Sequence, residues 1–375
     1  MAVDASTRFL MARFSKHYRM SSLFVPDRFS KREFGFMFYD RDFVIRHLGF
    51  PTRAALKNYL IEQAPAHAYY SCAYYEKPDA PTMAEKHWLG ADLIFDLDAD
   101  HVEGTKGLPY HEMLERVKQE VKRLLDEFIM GDLGFGGEEL RIAFSGGRGY
   151  HIHVTSPRVL RLTSHERREI VDYVTGTGLE PELLGLLDTE GRLKVVGGPH
   201  PSDSGWRGRI ARGIMQVLLR TDAFELREMG LKSNTIESLI RLRGEADAGT
   251  ISWAEIDGAG RRTWQIIVRK AARLGAVSID TVVTSDIHRL IRLPETLNGK
   301  TGLKAMHVKI GELATFSPLT QAAAFEGEET VYIKEAPRFM IGSKGYGPFE
   351  NVEVALPTPA ALLLMCKGKA YPVAK

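Results

Sequence analysis

Three acids stand at alternate positions in the segment DLIFDLDADH: Asp96, Asp98 and Asp100. An apolar run, Leu93-Ile94-Phe95, leads into them, so the segment reads as a strand. Residues two apart on a strand share a face, with side chains about 7 Å apart. That puts Asp96, Asp98 and Asp100 on one face and sends Phe95 and Leu97 into the core. Like charges held together destabilise one another unless a cation binds or one acid takes up a proton. A donor set of hard oxygens, without thiolates, suits Mg²⁺ or Mn²⁺. A solvated strand end explains a bare D-x-D as well; the apolar lead-in and the motifs below favour the metal. A third carboxylate has two candidates. Asp280 lies inside the apolar run VSIDTVV, as Asp96 lies inside its own. Asp286 follows Ser285 and reads better as a helix N-cap, so Asp280 is preferred.

A second motif, SGGRGYHIH, runs from Ser145 to His153. Gly146, Gly147 and Gly149 permit a tight turn and close approach of a ligand to the backbone. Successive N–H groups in such a turn cradle an anion, and Arg148 adds a charge whose geometry matches phosphate. The pattern predicts a triphosphate cradle; an ordinary hairpin with an exposed arginine is the plainer alternative. His151 and His153 share one side of the following strand but have no evident third partner as metal ligands. The third motif is LNGKTG, 297–302. It is no P-loop, because Pro294 stands where that pattern needs glycine. Lys300, with Arg289 and Arg292, still brings charge suited to phosphates just after the Asp280 segment.

These residues need a scaffold. With 375 residues, 44% hydrophobic and 26% charged, the chain has the composition of a soluble globular protein. A net charge of +2 means that any nucleic-acid surface is a local basic patch. Two cysteines, Cys72 and Cys366, exclude a disulfide framework or a Cys-rich zinc site. No stretch approaches the roughly 20 apolar residues of a membrane span, and the start has no signal-peptide pattern. A cytoplasmic location is expected. Residues 1–80 read as mixed helix and short strands, with REFGFMFYDRDFVIRHLGF alternating strongly. Residues 111–130 form the clearest helix, with Leu114, Val117, Val121, Leu124, Leu125 and Phe128 at helical spacing. LRIAFSGGRGYHIHV reads as strand, turn and strand. HERREIVDYV, RIARGIMQVLLR, NTIESLIRL and GRRTWQIIVRKAARL read as helices, many rich in arginine. GAVSIDTVV returns to strand, and PAALLLMCKGKAY is a last helix. The fold class is therefore α/β (α+β): one domain over 1–375, with a mixed β-sheet core from 1–158 and 276–375 and a helical insertion at about 159–275.

The three motifs, FDLDAD, SGGRGYHIHV and IDTVVTSDIHRLIRLPETLNGKTGL, resemble in order and spacing those of the small, catalytic subunit of archaeal and eukaryotic DNA primases. KREFGF and ALLLMCKGKAY resemble the archaeal branch. The resemblance implies the primase catalytic fold and de novo synthesis of short primers on single-stranded DNA from nucleoside triphosphates. It implies that Asp96, Asp98 and Asp280 hold two catalytic metals, Mg²⁺ or Mn²⁺. It implies that Ser145, Arg148, His151, Arg292 and Lys300 bind the nucleotide, with Arg46 of FVIRHLGF as a further nucleotide-site arginine. A primase large subunit is the implied partner, in a heterodimer. Two departures stand out. The segment HVEGTKGLPYHEML has His101 and His111 but no cysteine, so the family's zinc knob is expected to be absent. Asn298 stands where the family usually has histidine before GKTG. The alternatives are a related primase-polymerase that extends ends in DNA repair, a metal-dependent nuclease, for which the cradle has no purpose, and an inactive architectural or single-strand-binding subunit, against which the intact acids and the sparse aromatics of the basic stretches argue.

Overall fold

The computed structural model describes residues 4–186, 198–241 and 260–373. Two compact units divide the chain: residues 1–126, 134–168 and 278–375 form one, residues 127–133 and 169–277 the other. Residues 187–197 and 242–259, inside the expected helical insertion, lie outside the described residues. No helix of the described residues is long and apolar enough to cross a membrane.

In the first unit come, in chain order, β1 (Phe34–Met37), β2 (Val44–Leu48), β3 (His67–Ser71), β4 (Ala73–Tyr75), β5 (Trp88–Ala91), β6 (Leu93–Asp98), β7 (Leu140–Phe144), β8 (Gly149–Val154), β9 (Leu290–Arg292) and β10 (Met306–Val308). They form two four-stranded sheets, β2-β1-β3-β9 and β10-β7-β8-β6, and the hairpin β4-β5. Farther along, β11 (Glu328–Ala336), β12 (Phe339–Ile341), β13 (Lys344–Tyr346), β14 (Phe349–Pro357) and β15 (Ala370–Pro372) give a sheet β14-β11-β15 and the hairpin β12-β13. Every strand pairing among the described residues is antiparallel. With its helices, the chain is an α+β protein.

The first sheet shows why its motif residues face where they do. Phe34, Phe36, Ala68 and Tyr70 point to a core that also holds Phe14 and Tyr18 of the helix Ala5–Met20 and Leu56 and Leu60 of the helix Arg53–Gln63. Strand alternation turns Gly35, Tyr69 and Arg292, which are register partners across β1, β3 and β9, to the opposite face. A buried polar brace sits beside this core. Arg32 donates to the carbonyls of Ser71 and Cys72, both at 2.8 Å, and pairs with Asp92 at 2.7 Å. Both ends of that pair are sealed, at 2% and 1% exposure. Such a charge is tolerated inside only because every donor finds a partner.

The helix Tyr110–Arg123 buries Leu114, Val117 and Val121 and widens into π-turns over Leu124–Asp132. In the second unit, the helices Gly205–Arg220 and Arg261–Gly275 approach closely at Gly213, where a Cβ would lie 2.9 Å from that of Ala271. Arg209 clamps the short segment of the same unit: it bonds Glu127 at 3.2 Å and Asp132 at 2.6 Å, with its guanidinium 3.8 Å over the Phe128 ring.

Two expectations change. The segment GAVSIDTVV is not a strand; residues 276–280 are irregular, and Thr281–Ser285 is a short helix capped by Asp280. The Asp280 carboxylate accepts the N–H groups of Val282 and Val283, and this capping outweighs the strand preference of the valines. Asp286 is not an N-cap. It ends that helix, and its carboxylate accepts the N–H of His288 at 2.8 Å.

Candidate active site

Strand β6 carries Asp96 and Asp98 beside β8, with Asp96 opposite His151 and Asp98 opposite Gly149. Phe95 and Leu97 are fully buried on the other face, as alternation requires. Gly149 is needed for this pairing: a Cβ there would sit 2.3 Å from the Leu97 carbonyl oxygen. Asp100 does not share the face, because β6 ends at Asp98 and Asp100 stands in the turn beyond it. There it pairs with Arg148.

Asp280 joins the pair through its backbone, its N–H donating to the Asp96 carbonyl at 2.9 Å. The cap holds Oδ1 of Asp280, while Oδ2 lies 3.7 Å from Nε2 of His101. Burial, and then the charges of Asp98 and Asp280, push the Asp96 carboxyl up to about 7. Among the described residues no three His, Cys, Asp or Glu side chains converge closely enough to form a metal-binding group. The three carboxylates therefore repel one another without forming a ready-made chelate.

The Gly-rich turn is held from several directions. Gly146 has a φ of +73° and no room for a Cβ, with the Ala305 nitrogen, the Asn298 Cβ and the Leu303 oxygen all 3.0 Å away. Oγ of Ser145 accepts from the N–H groups of Gly147 and Gly149 at 3.3 and 3.4 Å. Thr301 donates its hydroxyl proton to the Gly146 carbonyl, and Tyr110 donates its own to that of Gly147. Asn298 is the joint between this turn and LNGKTG. Its Nδ2 donates to the Ser145 carbonyl at 3.3 Å, and its Oδ1 accepts from the N–H of Lys300 at 2.9 Å.

These elements enclose a cleft of about 630 Å³. Of the residues singled out from sequence, Asp96, Asp98, Ser145, Arg148, His151, Arg289, Arg292, Asn298 and Lys300 line it. Its charges are unevenly spent. Arg148 lies 3.1 Å from Asp98 and also pairs with Asp100. Arg292 sits 4.5 Å over the Tyr69 ring, with Nε and Nη1 buried and lacking an acceptor. His151 is 3.5 Å from Asp96; burial, then Arg292 and Arg289, push it down to about 3, so it is neutral near pH 7. A cleft holding one strongly raised carboxyl and orphan guanidinium donors fits a ligand that combines cations with a polyanion.

Arg46 is not among the lining residues. Both arms of its guanidinium grip the buried Glu33, at 3.0 and 3.1 Å, and Nη2 also donates to the His288 carbonyl at 3.1 Å. Tyr69, Tyr110, Thr301 and Lys367 line the cleft without having been singled out. Only the Thr of GKTG and the Lys of MCKGKAY lay within motifs already marked.

A family model described as DNA primase small subunit matches residues 95–308. The chain is also similar to curated proteins named DNA primase small subunit PriS. That of Methanocella arvoryzae is 40% identical over 98% of each chain. Those of Methanothrix thermoacetophila and Methanococcoides burtonii are each 38% identical, covering 97% and 98% of this chain and 98% and 99% of their own.

Proposed function

The chain belongs to the DNA primase small subunit family, the DNA-directed nucleotidyltransferases that make primers for DNA replication, and on that premise we propose how its own cleft does so. Asp96, Asp98 and Asp280 would hold two divalent cations, Mg²⁺ or Mn²⁺, since a hard-oxygen donor set suits these ions, although the side chains do not converge into a chelate by themselves. The observation that carries this reading is the placing of the acids, Asp96 and Asp98 on one face of β6 and Asp280 tied by its N–H to the Asp96 carbonyl; burial and the other two acids push the Asp96 carboxyl up, a repulsion that bound cations would relieve. Such ions supply electrostatic stabilisation of the transferring phosphate and make a hydroxyl a better nucleophile at neutral pH.

The protein's part is positioning. Arg292 offers its unpaired donors to the triphosphate, Lys300 adds an ammonium, and the Ser145–Gly149 turn brings Arg148 to the same cleft. Arg148, which pairs with Asp98 and Asp100, stands at the cleft wall where its guanidinium would also meet phosphate oxygens. Neutral His151 donates or accepts beside Asp96 without adding charge. Arg46 acts from behind, through Glu33 and the His288 carbonyl. The base is read by pairing to a single-stranded DNA template, so the cleft needs phosphate binders and little for base edges. The partner is a primase large subunit in a heterodimer, the location is the cytoplasm, and no structural zinc is part of this reading.

The test is incubation of the chain with single-stranded template, labelled nucleotides and Mg²⁺ or Mn²⁺. New oligomers without a supplied end support the proposal. Extension of supplied ends alone points to a repair primase-polymerase, loss of template to a nuclease, and no reaction to a binding subunit.

A further inference from the structure

The segment ALLLMCKGKAY has no role in the mechanism above. Its helix, Thr358–Cys366, is buried from Ala360 to Met365 and is a core element. Lys367 caps its C-terminus, its N–H donating to the Leu363 and Leu364 carbonyls at 3.3 and 3.2 Å. The helix rests against LNGKTG at Gly302, where a Cβ would lie 3.1 Å from that of Leu362. Lys367 therefore starts from a rigid base tied to the loop that carries Lys300.

Its side chain lines the cleft beside Asp96, Asp98, Arg148 and Lys300. The ammonium lies 5.6 Å from the centre of the Tyr110 ring. Tyr110 in turn donates its hydroxyl proton to Gly147, so one ring steadies both the lysine and the Gly-rich turn. Among the described residues no carboxylate pairs with the Lys367 ammonium, whereas Arg148 beside it is engaged by two. An ammonium is all donor and no acceptor. Lys367 is exposed, so water serves its ammonium in the open cleft, and an anion that enters would bring the counter-charge it lacks.

Resting on the reading of the cleft as a nucleotide site, we infer that Lys367 is a ligand of the triphosphate, acting with Lys300. A lysine on the phosphate chain has a signature that base or sugar contacts lack. Its contribution grows with the number of phosphates, because each adds charge.

Equilibrium binding of ATP, ADP and AMP, with Mg²⁺ present, tests this in the wild type and in Lys367→Ala, Lys367→Arg and Lys300→Ala. Lys367→Ala should weaken ATP binding by about tenfold and AMP binding by less than about twofold. Lys367→Arg should recover most of the loss. Equal weakening of all three nucleotides, with a lowered melting temperature, would show a structural lysine and overturn the inference. Unchanged ATP binding in Lys367→Ala, with a loss in Lys300→Ala, would overturn it while leaving the nucleotide site standing. Unchanged binding in every variant would remove both.

Discussion

Replacing Asn298 by alanine should separate loop architecture from ligand binding. Asn298 is 5% exposed, and its amide helps join the Gly-rich turn to LNGKTG, beside the bond from Thr301 to the Gly146 carbonyl. The substitution deletes two hydrogen bonds, one to the N–H of Lys300 at 2.9 Å and one to the Ser145 carbonyl at 3.3 Å. A net hydrogen bond contributes about 0.5–1.5 kcal/mol, so Asn298→Ala should cost about 1–3 kcal/mol of stability. Lys300→Ala removes an exposed side chain. It should change stability by no more than about 0.5 kcal/mol. Its cost falls on the nucleotide instead, where a lost charged bond of about 1.5–3 kcal/mol raises the apparent KM roughly 10- to 150-fold. The assay is urea unfolding and nucleotide KM on the same preparations of both variants. A neutral histidine keeps one acceptor and one donor, so Asn298→His should lose less stability than Asn298→Ala. If Asn298→Ala unfolds with the wild type yet raises KM as Lys300→Ala does, the amide contacts the triphosphate and the loop-joint reasoning is wrong.

Asp96 gives a pH prediction. Its carboxyl is raised from 3.8 to about 7, so the metal-free protein loses stability as pH climbs from about 4 to about 7. The loss is at most about 4 kcal/mol at 1.36 kcal/mol per pH unit. In chelator, Asp96→Asn should therefore be more stable than wild type at pH 8 and no more stable at pH 4, and it should not synthesise; identical pH slopes for the two proteins refute this. Asp280→Asn should abolish synthesis while keeping its melting temperature, because asparagine caps as well as aspartate. Asp286→Asn, which keeps an acceptor for the His288 N–H, should be mild, and a reversed ranking moves the site to Asp286. Gly149→Ala should lower stability by about 1–3 kcal/mol and impair synthesis, since the new Cβ meets the Leu97 carbonyl; a wild-type melt with normal synthesis would contradict the close approach.

Asp96 and Asp98 were legible because apolar and acidic residues alternate with the period of a strand, and a strand is what forms. Asp100 keeps the same alternation, but the strand ends two residues earlier, and a salt bridge in the turn leaves no trace in spacing. Asp280 illustrates the reverse case. Valine-rich neighbours suggest a strand, yet the position beside Asp96 arises from a cap and one backbone bond. The Gly-rich turn was legible because glycine is demanded locally. Arg46 was not, because its engagement depends on Glu33, brought alongside only by the pairing of β1 with β2. Tyr110 and Lys367 reach the cleft from helix ends, and where a helix end points is settled by packing.

The order in which strands pair has a consequence for how the protein emerges from the ribosome. Beside β1, the partner of β3 is β9, more than 200 residues later, and β7, which pairs with β8 on one edge, waits for β10 on the other. Until residue 290 has been made, both four-stranded sheets lack a member, and the second lacks β10 until residue 308. Residues 169–277 are synthesised in that interval and make up most of the other unit, so they are free to fold while the first is still incomplete. The site is then among the last parts to take shape, because its two sheets are closed by non-local pairings that carry the largest loop-closure cost. A partly made chain shows acids and arginines to the cell but no working cleft.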